Sequence, residues 1–219
     1  MEVFKLGIII PAFNEAMTIA GVVNSVKALG TVIVVDDGST DETVNIASAN
    51  GATVVSHGAN KGYEVAINTG FDKADKIGLS AVITFDADGQ HKPEYVCLFA
   101  KALQSDFQLV LGVRQKPQRV SEYIFKWYTA AFWGWRDPLC GLKGYSMALY
   151  RQLSYFDTHK LVGTELAFFG IRNGYNFKQI DILVDNRIDN PRFGSRIRAN
   201  IKIIRALFKL LLLIKSNEN

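Results

Sequence analysis

Short apolar runs alternate with segments of helix length through the first half of this 219-residue chain. The runs are rich in β-branched residues, as buried strands are: Leu6–Ile10, Val32–Asp36, Thr53–Ser56, Val82–Asp86 and Leu109–Gly112. The segments between them fit helices: Thr18–Leu29, Asp41–Asn50, Val65–Ala74 and Pro93–Gln104. This alternation predicts an α/β fold with a mostly parallel central sheet flanked by helices on both faces.

The second half of the chain has a weaker pattern. Arg119–Trp135 is rich in aromatic residues and predicts a long helix or a lid. Gly144–Gln152 and Gly163–Asn173 are predicted helices, and Phe177–Val184 is a predicted strand. The hydrophobic fraction of 48% is enough to form one core. Cys97 and Cys140 lie far apart and lack metal-ligand spacing, which favours reduced thiols in a cytosolic protein.

Two carboxylates follow the predicted strand Val82–Asp86, in the segment Asp86-Ala87-Asp88-Gly89-Gln90. Ligands bind to sheets of this type at the carboxyl ends of the strands. Asp86 and Asp88 at this position, with Gln90 as a third oxygen donor, predict a site for Mg²⁺ or Mn²⁺ completed by a diphosphate. The alternative is a solvated turn that caps the next helix.

Polar residues also follow the first two strands. Asp36 and Asp37 can accept hydrogen bonds from a base or from ribose hydroxyls, or they can form an acidic turn. Ser39 with Glu42 predicts a capping box at the next helix. The segment after the first strand, with Glu15, has no local feature that requires a function.

Together these segments resemble glycosyltransferase family 2, which has a GT-A-type nucleotide-sugar-binding fold. The matching segments, in the family's order, are IIIPAFNE, VIVVDDGSTDET, NKGYEVAINTGF, FDADGQHKPE and DPLCGLKGYS. The resemblance is strongest to the polyprenyl-phosphate sugar transferases. It implies an inverting transferase that moves a hexose-type sugar from a nucleotide-sugar donor to a polyprenyl phosphate.

The resemblance also implies roles for individual residues. The donor nucleotide would be bound by Pro11, Phe13, Glu15, Asp36, Asp37 and Asp86, and the metal by Asp86, Asp88 and Gln90. The residues expected to act in catalysis are Asp88, Asp137 and Arg114. The acceptor phosphate would be bound by Arg114, Arg119, Arg192, Ser195 and Arg196. The chain departs from the usual family pattern at Cys140 (usually Ser) and Lys143 (usually Arg).

The acceptor class depends on whether a general base is present. A sugar hydroxyl needs one, which contributes ~10²–10⁴-fold, and Asp137 and Glu165 are the candidates. A phosphate monoester is already anionic and needs cations instead, for which arginine is well suited. A glycan hydroxyl acceptor therefore stays open as an alternative, as does a catalytically silent membrane-surface module with the same fold.

The C-terminal end carries most of the positive charge. Residues 187–215 contain eight Lys or Arg against one acid, Asp189, which gives +7 in a chain of net charge +4. Arg198, Lys202, Arg205 and Lys209 align on one helical face, and apolar residues fill much of the rest. Such a helix can lie in the membrane interface. The alternatives are packing on its own domain or on a second subunit, whereas the apolar face argues against nucleic acid.

We therefore expect a catalytic domain over residues 1–196 and a basic amphipathic helix over residues 197–219. The N-terminus opens on Glu2 and Lys5 without an apolar signal core. We expect a cytoplasmic protein associated peripherally with the inner face of the membrane, which can form a homo-oligomer.

Overall fold

The computed structural model describes residues 3–115, 120–159, 161–185, 200–201 and 203–210. Within these residues, seven strands form one sheet: β1 (Leu6–Ala12), β2 (Thr31–Asp36), β3 (Thr53–Ser56), β4 (Ala81–Thr84), β5 (Leu109–Arg114), β6 (Lys143–Ser146) and β7 (Phe177–Ile182). The helices are α1 (Ile19–Val26), α2 (Thr43–Ala49), α3 (Tyr63–Lys76), α4 (Glu94–Gln104), α5 (Val120–Trp133), α6 (Met147–Leu153) and α7 (Glu165–Arg172). Residues 200–201 and 203–210 are also helical and are called the C-terminal helix below.

The strand order of the sheet is β3-β2-β1-β4-β6-β5-β7. Strand β1 pairs in parallel with β2 and β4, β2 pairs in parallel with β3, and β5 pairs in parallel with β7. Strand β6 is antiparallel to both of its neighbours, β4 and β5. The expected α/β fold with a mostly parallel sheet is confirmed, with β6 as the exception.

The strand β6 corrects the predicted helix Gly144–Gln152. Lys143–Ser146 forms a strand, and the helix α6 begins only at Met147, with the Ser146 hydroxyl accepting a hydrogen bond from Leu149 N. Gly144 lies under α4, where an added Cβ would lie 3.0 Å from Leu103 Cδ1. The missing side chain lets the sheet and α4 approach each other here, which a local apolar pattern does not reveal.

The capping box predicted at Ser39 and Glu42 is also absent from α2. Glu42 is the N-cap residue without a side-chain cap hydrogen bond. The Ser39 hydroxyl instead accepts a hydrogen bond from Asn14 N, in the loop after β1. A contact between two loops has replaced the local capping contact.

The sheet is covered on both faces, because successive residues of each strand point to opposite sides. Ile9 and Ile33 pack in one core with α3, α6 and α7, whereas Ile8 and Ile10 pack in the other with α1 and α4. The C-terminal helix belongs to the first core through Ile203 and two further buried residues, Ala206 and Leu210. In the described parts of the chain, no helix combines the length and apolar character needed to cross a membrane.

Gly70 lies where α3 crosses β1, and we expect Gly70→Ala to destabilise the protein. An added Cβ would overlap Ile9 Cγ2 in the closed core. Overpacking of this kind costs about 1–3 kcal/mol of unfolding free energy, to be measured by urea denaturation. Gly21→Ala is the matched control, because a Cβ at Gly21 in α1 meets nothing within 4 Å. Equal midpoints for the two variants would contradict this reading of the α3–β1 contact.

Candidate active site

The loops after β1, β2 and β4 lie at one edge of the sheet, because these three strands are adjacent and parallel. The loop after β1 is tied to the loop after β2 by hydrogen bonds. Asn14, with a φ of 53°, accepts a hydrogen bond from Thr40 N at 2.7 Å through Oδ1. Glu15 N donates to Thr43 Oγ1 at 2.7 Å. These contacts fix the loop that begins with Pro11 and Phe13, both half-buried.

Asp37 holds the loop that leads into α3. Its Oδ1 lies 2.9 Å from His57 Nδ1 and accepts a hydrogen bond from Lys61 N at 2.8 Å. Its Oδ2 accepts another from Gly62 N at 2.8 Å. Asp37 therefore shapes this edge of the site through the loop it binds, and its direct contact with a nucleoside stays a prediction.

Asp36 and Glu15 are the other two acidic side chains expected around the nucleoside. Asp36 is buried at the end of β2, where Oδ1 accepts a hydrogen bond from Ser39 N at 3.1 Å. Glu15 is buried at the start of α1, where Oε2 accepts a hydrogen bond from Thr18 Oγ1 at 3.1 Å. The structure therefore brings both predicted residues to the edge formed by β1 and β2.

Asp86, Asp88 and Gln90 lie together in the loop after β4. Asp88 is buried, and its Oδ1 accepts a hydrogen bond from Gln90 N at 3.1 Å. The Gln90 Nε2 atom donates a hydrogen bond to the Asp185 carbonyl at 2.9 Å. The Gln90 Oε1 atom is the acceptor of this amide and can serve as an oxygen ligand. Two carboxylates and an amide oxygen are a donor set that suits a hard divalent cation. Within the described ranges, no three His, Cys, Asp or Glu side chains form a metal-binding group.

The Asp86 carboxylate is kept ionised by its neighbours. Burial alone would raise the pKa of Asp86, but the hydrogen bond and charge of His91, together with the charges of Arg114 and Lys143, lower it below its usual value. His91 Nε2 lies 3.0 Å from Asp86 Oδ2. From the sequence, His91 either approaches the metal site or only starts the next helix, and its contact with Asp86 favours the first of these alternatives.

Arg114 and Asp137, both expected in catalysis, form a buried ion pair. Arg114 Nε lies 2.8 Å from Asp137 Oδ2, and Arg114 Nη2 lies 2.9 Å from Asp137 Oδ1. The same Nη2 also donates to Glu122 Oε2 of α5 at 3.1 Å. Burial would lower the pKa of Arg114, but these carboxylates raise it above its usual value. The structure brings these two residues into contact, with the guanidinium turned towards two carboxylates, and their catalytic roles stay predictions.

Lys143 is buried on β6, beside the loop that precedes α7. Its Nζ donates to the Gly163 carbonyl at 2.8 Å and lies 5.6 Å from the centre of the Trp135 ring. Burial lowers the pKa of Lys143 to about 8. Burial also raises the pKa of the nearby Cys140 thiol to about 12, so this cysteine stays protonated and is a poor nucleophile.

Glu165, a candidate general base, is engaged in holding a turn. Its Oε2 accepts hydrogen bonds from Thr158 N at 2.8 Å and His159 N at 3.0 Å, and its Oε1 contacts His159 Nδ1. The carboxylate is buried at the start of α7, where its charge also suits the helix dipole. This arrangement favours a structural role for Glu165.

We expect Glu165→Gln to lower stability while the folded protein keeps its transfer rate. A neutral amide oxygen replaces a charged acceptor of two backbone N–H groups, at a cost of about 1–3 kcal/mol. Thermal unfolding and kcat of the same preparation would measure both effects. A fall of kcat by ~10²–10⁴-fold in folded protein would instead identify Glu165 as a general base.

The remaining residues of the expected acceptor site lie outside the described residues: Arg119, Arg192, Ser195 and Arg196. The same holds for Arg198 and Lys202 of the predicted basic face. Their contacts with phosphate or with membrane stay predictions.

Two known proteins are similar in sequence to this chain. A UDP-N-acetylglucosamine–dolichyl-phosphate N-acetylglucosaminyltransferase from Methanococcus voltae is 30% identical over 237 residues, covering 93% of this chain and 94% of that protein. A polyprenol monophosphomannose synthase from Mycolicibacterium smegmatis is 31% identical over 119 residues, covering 50% of this chain and 45% of that protein.

The fold is shared with a solved structure. Glucosyl-3-phosphoglycerate synthase from Mycobacterium tuberculosis, in complex with Mg²⁺ and uridine-diphosphate, superposes with a TM-score of 0.76 at 23% identity, covering 94% of this chain and 79% of that one. The family model for glycosyl transferase family 2 matches residues 7–171, which is most of the chain. The chain belongs to glycosyl transferase family 2.

Proposed function

We propose that this protein is an inverting glycosyltransferase that moves a sugar from a nucleotide-sugar donor to a polyprenyl phosphate. We prefer a phosphate acceptor because both candidate general bases are already engaged by other groups. Asp137 is held by Arg114 in a bidentate ion pair, and Glu165 binds two backbone N–H groups and His159. Neither is placed to take a proton, and a phosphate acceptor requires no base. The names of the two relatives above support the same acceptor class.

The donor would lie across the edge formed by the loops after β1, β2 and β4. Pro11, Phe13, Glu15 and Asp36 would line the nucleoside pocket, whose floor is the loop held by Asp37. Asp86, Asp88 and Gln90 would hold Mg²⁺ or Mn²⁺, which supplies Lewis-acid stabilisation to the negative charge that develops on the leaving diphosphate. The lowered pKa of Asp86, to which His91 contributes, keeps the carboxylate ionised and suits that role.

The acceptor phosphate needs cations to approach a second anionic substrate. Arg114 donates to two carboxylates, Asp137 and Glu122, so its Nε and Nη2 are already engaged. The phosphate contacts would then be made by Arg119, Arg192 and Arg196, with Ser195. An oxygen of the acceptor phosphate attacks the anomeric carbon, the bond to the diphosphate breaks, and the configuration at that carbon is inverted.

The test is sugar transfer from UDP-, GDP- and dTDP-sugars, with Mn²⁺ or with EDTA. The matched acceptors are undecaprenyl phosphate and undecaprenol, which differ only in the phosphate. A product formed with undecaprenyl phosphate alone, and lost in EDTA, would support the proposal and identify the donor. Transfer to a glycan hydroxyl without the lipid phosphate would overturn it. Binding to membranes without turnover of any donor would favour the non-catalytic module.

An exposed apolar surface supports membrane association, which we propose takes place on the inner face. Four residues of α5 and three of the C-terminal helix expose large apolar side chains: Tyr123, Ile124, Trp127 and Phe132, with Ile201, Ile204 and Phe208. A hydrogen bond from Ser121 Oγ to Asn200 Oδ1 joins the two helices. Arg205 is exposed on the same helix, where a cation can contribute ~1 kcal/mol at an anionic surface, whereas Lys209 Nζ donates a hydrogen bond to the His159 carbonyl at 2.9 Å. The C-terminal helix also packs on its own domain, as the alternative expectation has it, but only through its buried side.

We expect Trp127→Glu to weaken binding to anionic vesicles. The Trp127 side chain is 69% exposed, so its loss removes apolar contact with lipid without opening the core. Vesicle sedimentation at several phosphatidylglycerol contents would measure the change. Leu98→Glu is the matched control, because Leu98 is exposed on α4, which packs in the other core. A concentration-dependent dimer that dissociates in Trp127→Glu would instead assign this surface to a homo-oligomer.

A further inference from the structure

The Asp86 carboxylate is held between a histidine ring and a glycine backbone. His91 Nε2 lies 3.0 Å from Asp86 Oδ2 on one side. Gly141 lies on the other side, so close that an added Cβ would be 2.5 Å from Oδ2 and 2.9 Å from Oδ1. His91 belongs to the same loop as Asp86, whereas Gly141 comes from a distant segment that the sequence alone does not connect with Asp86.

The histidine side of this arrangement is rigid. The His91 side chain is only 4% exposed, its backbone bridges to Val184 beside β7, and its ring packs edge-on to Phe85 at 5.8 Å. An ionised carboxylate only accepts hydrogen bonds, so the proton of the contact lies on Nε2. Nδ1 is buried and has no hydrogen-bond partner among the described residues. Among the described residues, the contact with Asp86 is therefore the one hydrogen bond of the His91 ring.

The glycine side is fixed equally well. The Gly141 carbonyl accepts a hydrogen bond from Thr84 Oγ1, at the end of β4, at 2.6 Å. The loop before β6 is therefore tied to the strand that leads into Asp86. Because Gly141 has no side chain, the carboxylate can lie flat against the backbone there.

We propose that His91 and Gly141 are positioning residues that set the orientation of the Asp86 carboxylate for the cation and the donor diphosphate. His91 engages Oδ2, and Oδ1, to which no described residue donates a hydrogen bond, is the oxygen presented to the cation. The proposal rests on the proposed function, because it requires Asp86 to be a metal ligand. Neither residue touches the substrates, and both act through Asp86.

The test is Mn²⁺ binding in the presence of UDP, GDP or dTDP, measured by electron paramagnetic resonance without any turnover. His91→Gln and His91→Asn form a matched pair that both lose the ring. The Gln amide nitrogen stands as many bonds from Cα as Nε2 does, whereas the Asn nitrogen corresponds to Nδ1. We expect His91→Gln to bind Mn²⁺ almost as the wild type does, and His91→Asn to bind it about 10- to 100-fold more weakly.

A steric variant tests the other side independently. Gly141→Ala is expected to weaken Mn²⁺ binding by displacing the carboxylate, and Gly21→Ala is its control, since a Cβ there meets nothing within 4 Å. Equal Mn²⁺ affinity in folded His91→Asn, His91→Gln and wild type would overturn the inference and leave the proposed function intact. If the folded wild type binds no Mn²⁺ with any of the three nucleoside diphosphates, the metal role of Asp86 fails first. Thermal unfolding of each variant verifies that the compared proteins are folded.

Discussion

Replacing Asp88 with asparagine is expected to lower the rate of sugar transfer by ~10²-fold or more, since a metal on the leaving group contributes several kcal/mol to the transition state. Asp88 is buried in the loop after β4 and is fixed by Gln90 N at 3.1 Å. Asparagine keeps the shape and one oxygen of the side chain but loses the negative charge. The variant therefore tests the contribution of the Asp88 charge while the shape of the side chain is kept.

The measurement is kcat with undecaprenyl phosphate over a range of Mn²⁺ concentrations. Asp106→Asn is the matched control, because Asp106 is exposed in the turn after α4, outside the site. A partial recovery of rate at high Mn²⁺ would show that the loss lies in cation binding. Full activity of Asp88→Asn in EDTA would mean that the family's donor chemistry proceeds here without this carboxylate.

The features that sequence reasoning predicted correctly are local ones. The strands β1 to β5 and the helices α1 to α5 follow from apolar periodicity over about ten residues, and so does the position of Asp86 and Asp88 after β4. Parallel pairing then brings the loops after β1, β2 and β4 together without further information. The placement of the predicted donor residues is a consequence of this topology.

The features that it missed depend on contacts between distant segments. Strand β6 is only four residues long and is defined by its partners β4 and β5. Asp37 binds N–H groups 24 and 25 residues further along the chain, so its DDG motif alone cannot show that its oxygens are already used. Gly141 is recognisable as a neighbour of Asp86 only when the sheet has formed, whereas for His91, five residues away, the fold adds only the contact with Asp86 Oδ2.

The same limit applies to the acceptor. The segment around Arg114 predicts a phosphate contact when it is considered alone. Asp137, 23 residues away, and Glu122 on α5 together change the charge of that position. The pairing of Arg114 with these carboxylates favours the other arginines of the predicted set as phosphate ligands. Asp137 and Glu165 are both engaged, by Arg114 and by backbone N–H groups respectively, which favours a phosphate over a hydroxyl acceptor.

The ion pair itself gives the second large prediction, on stability. Arg114→Leu is expected to lower the free energy of unfolding by about 3–5 kcal/mol, because it leaves two buried carboxylates without their cation. Asp137 and Glu122 have side-chain exposures of only 5% and 4%, so water cannot replace the guanidinium. Urea denaturation followed by tryptophan fluorescence would measure the loss.

The control for this variant is Arg136→Leu. Arg136 pairs with Asp181 at 3.1 Å, but the two side chains are 46% and 69% exposed, and such pairs contribute about 0–1 kcal/mol. Arg114→Lys should lie between the two, because an ammonium keeps the charge but not the bidentate geometry. If Arg114→Leu were as stable as Arg136→Leu and had lost affinity for undecaprenyl phosphate, the guanidinium would be a ligand of the acceptor. A large loss of stability, with acceptor affinity retained in Arg114→Lys, would establish that Arg114 acts on the site by holding Asp137 in place.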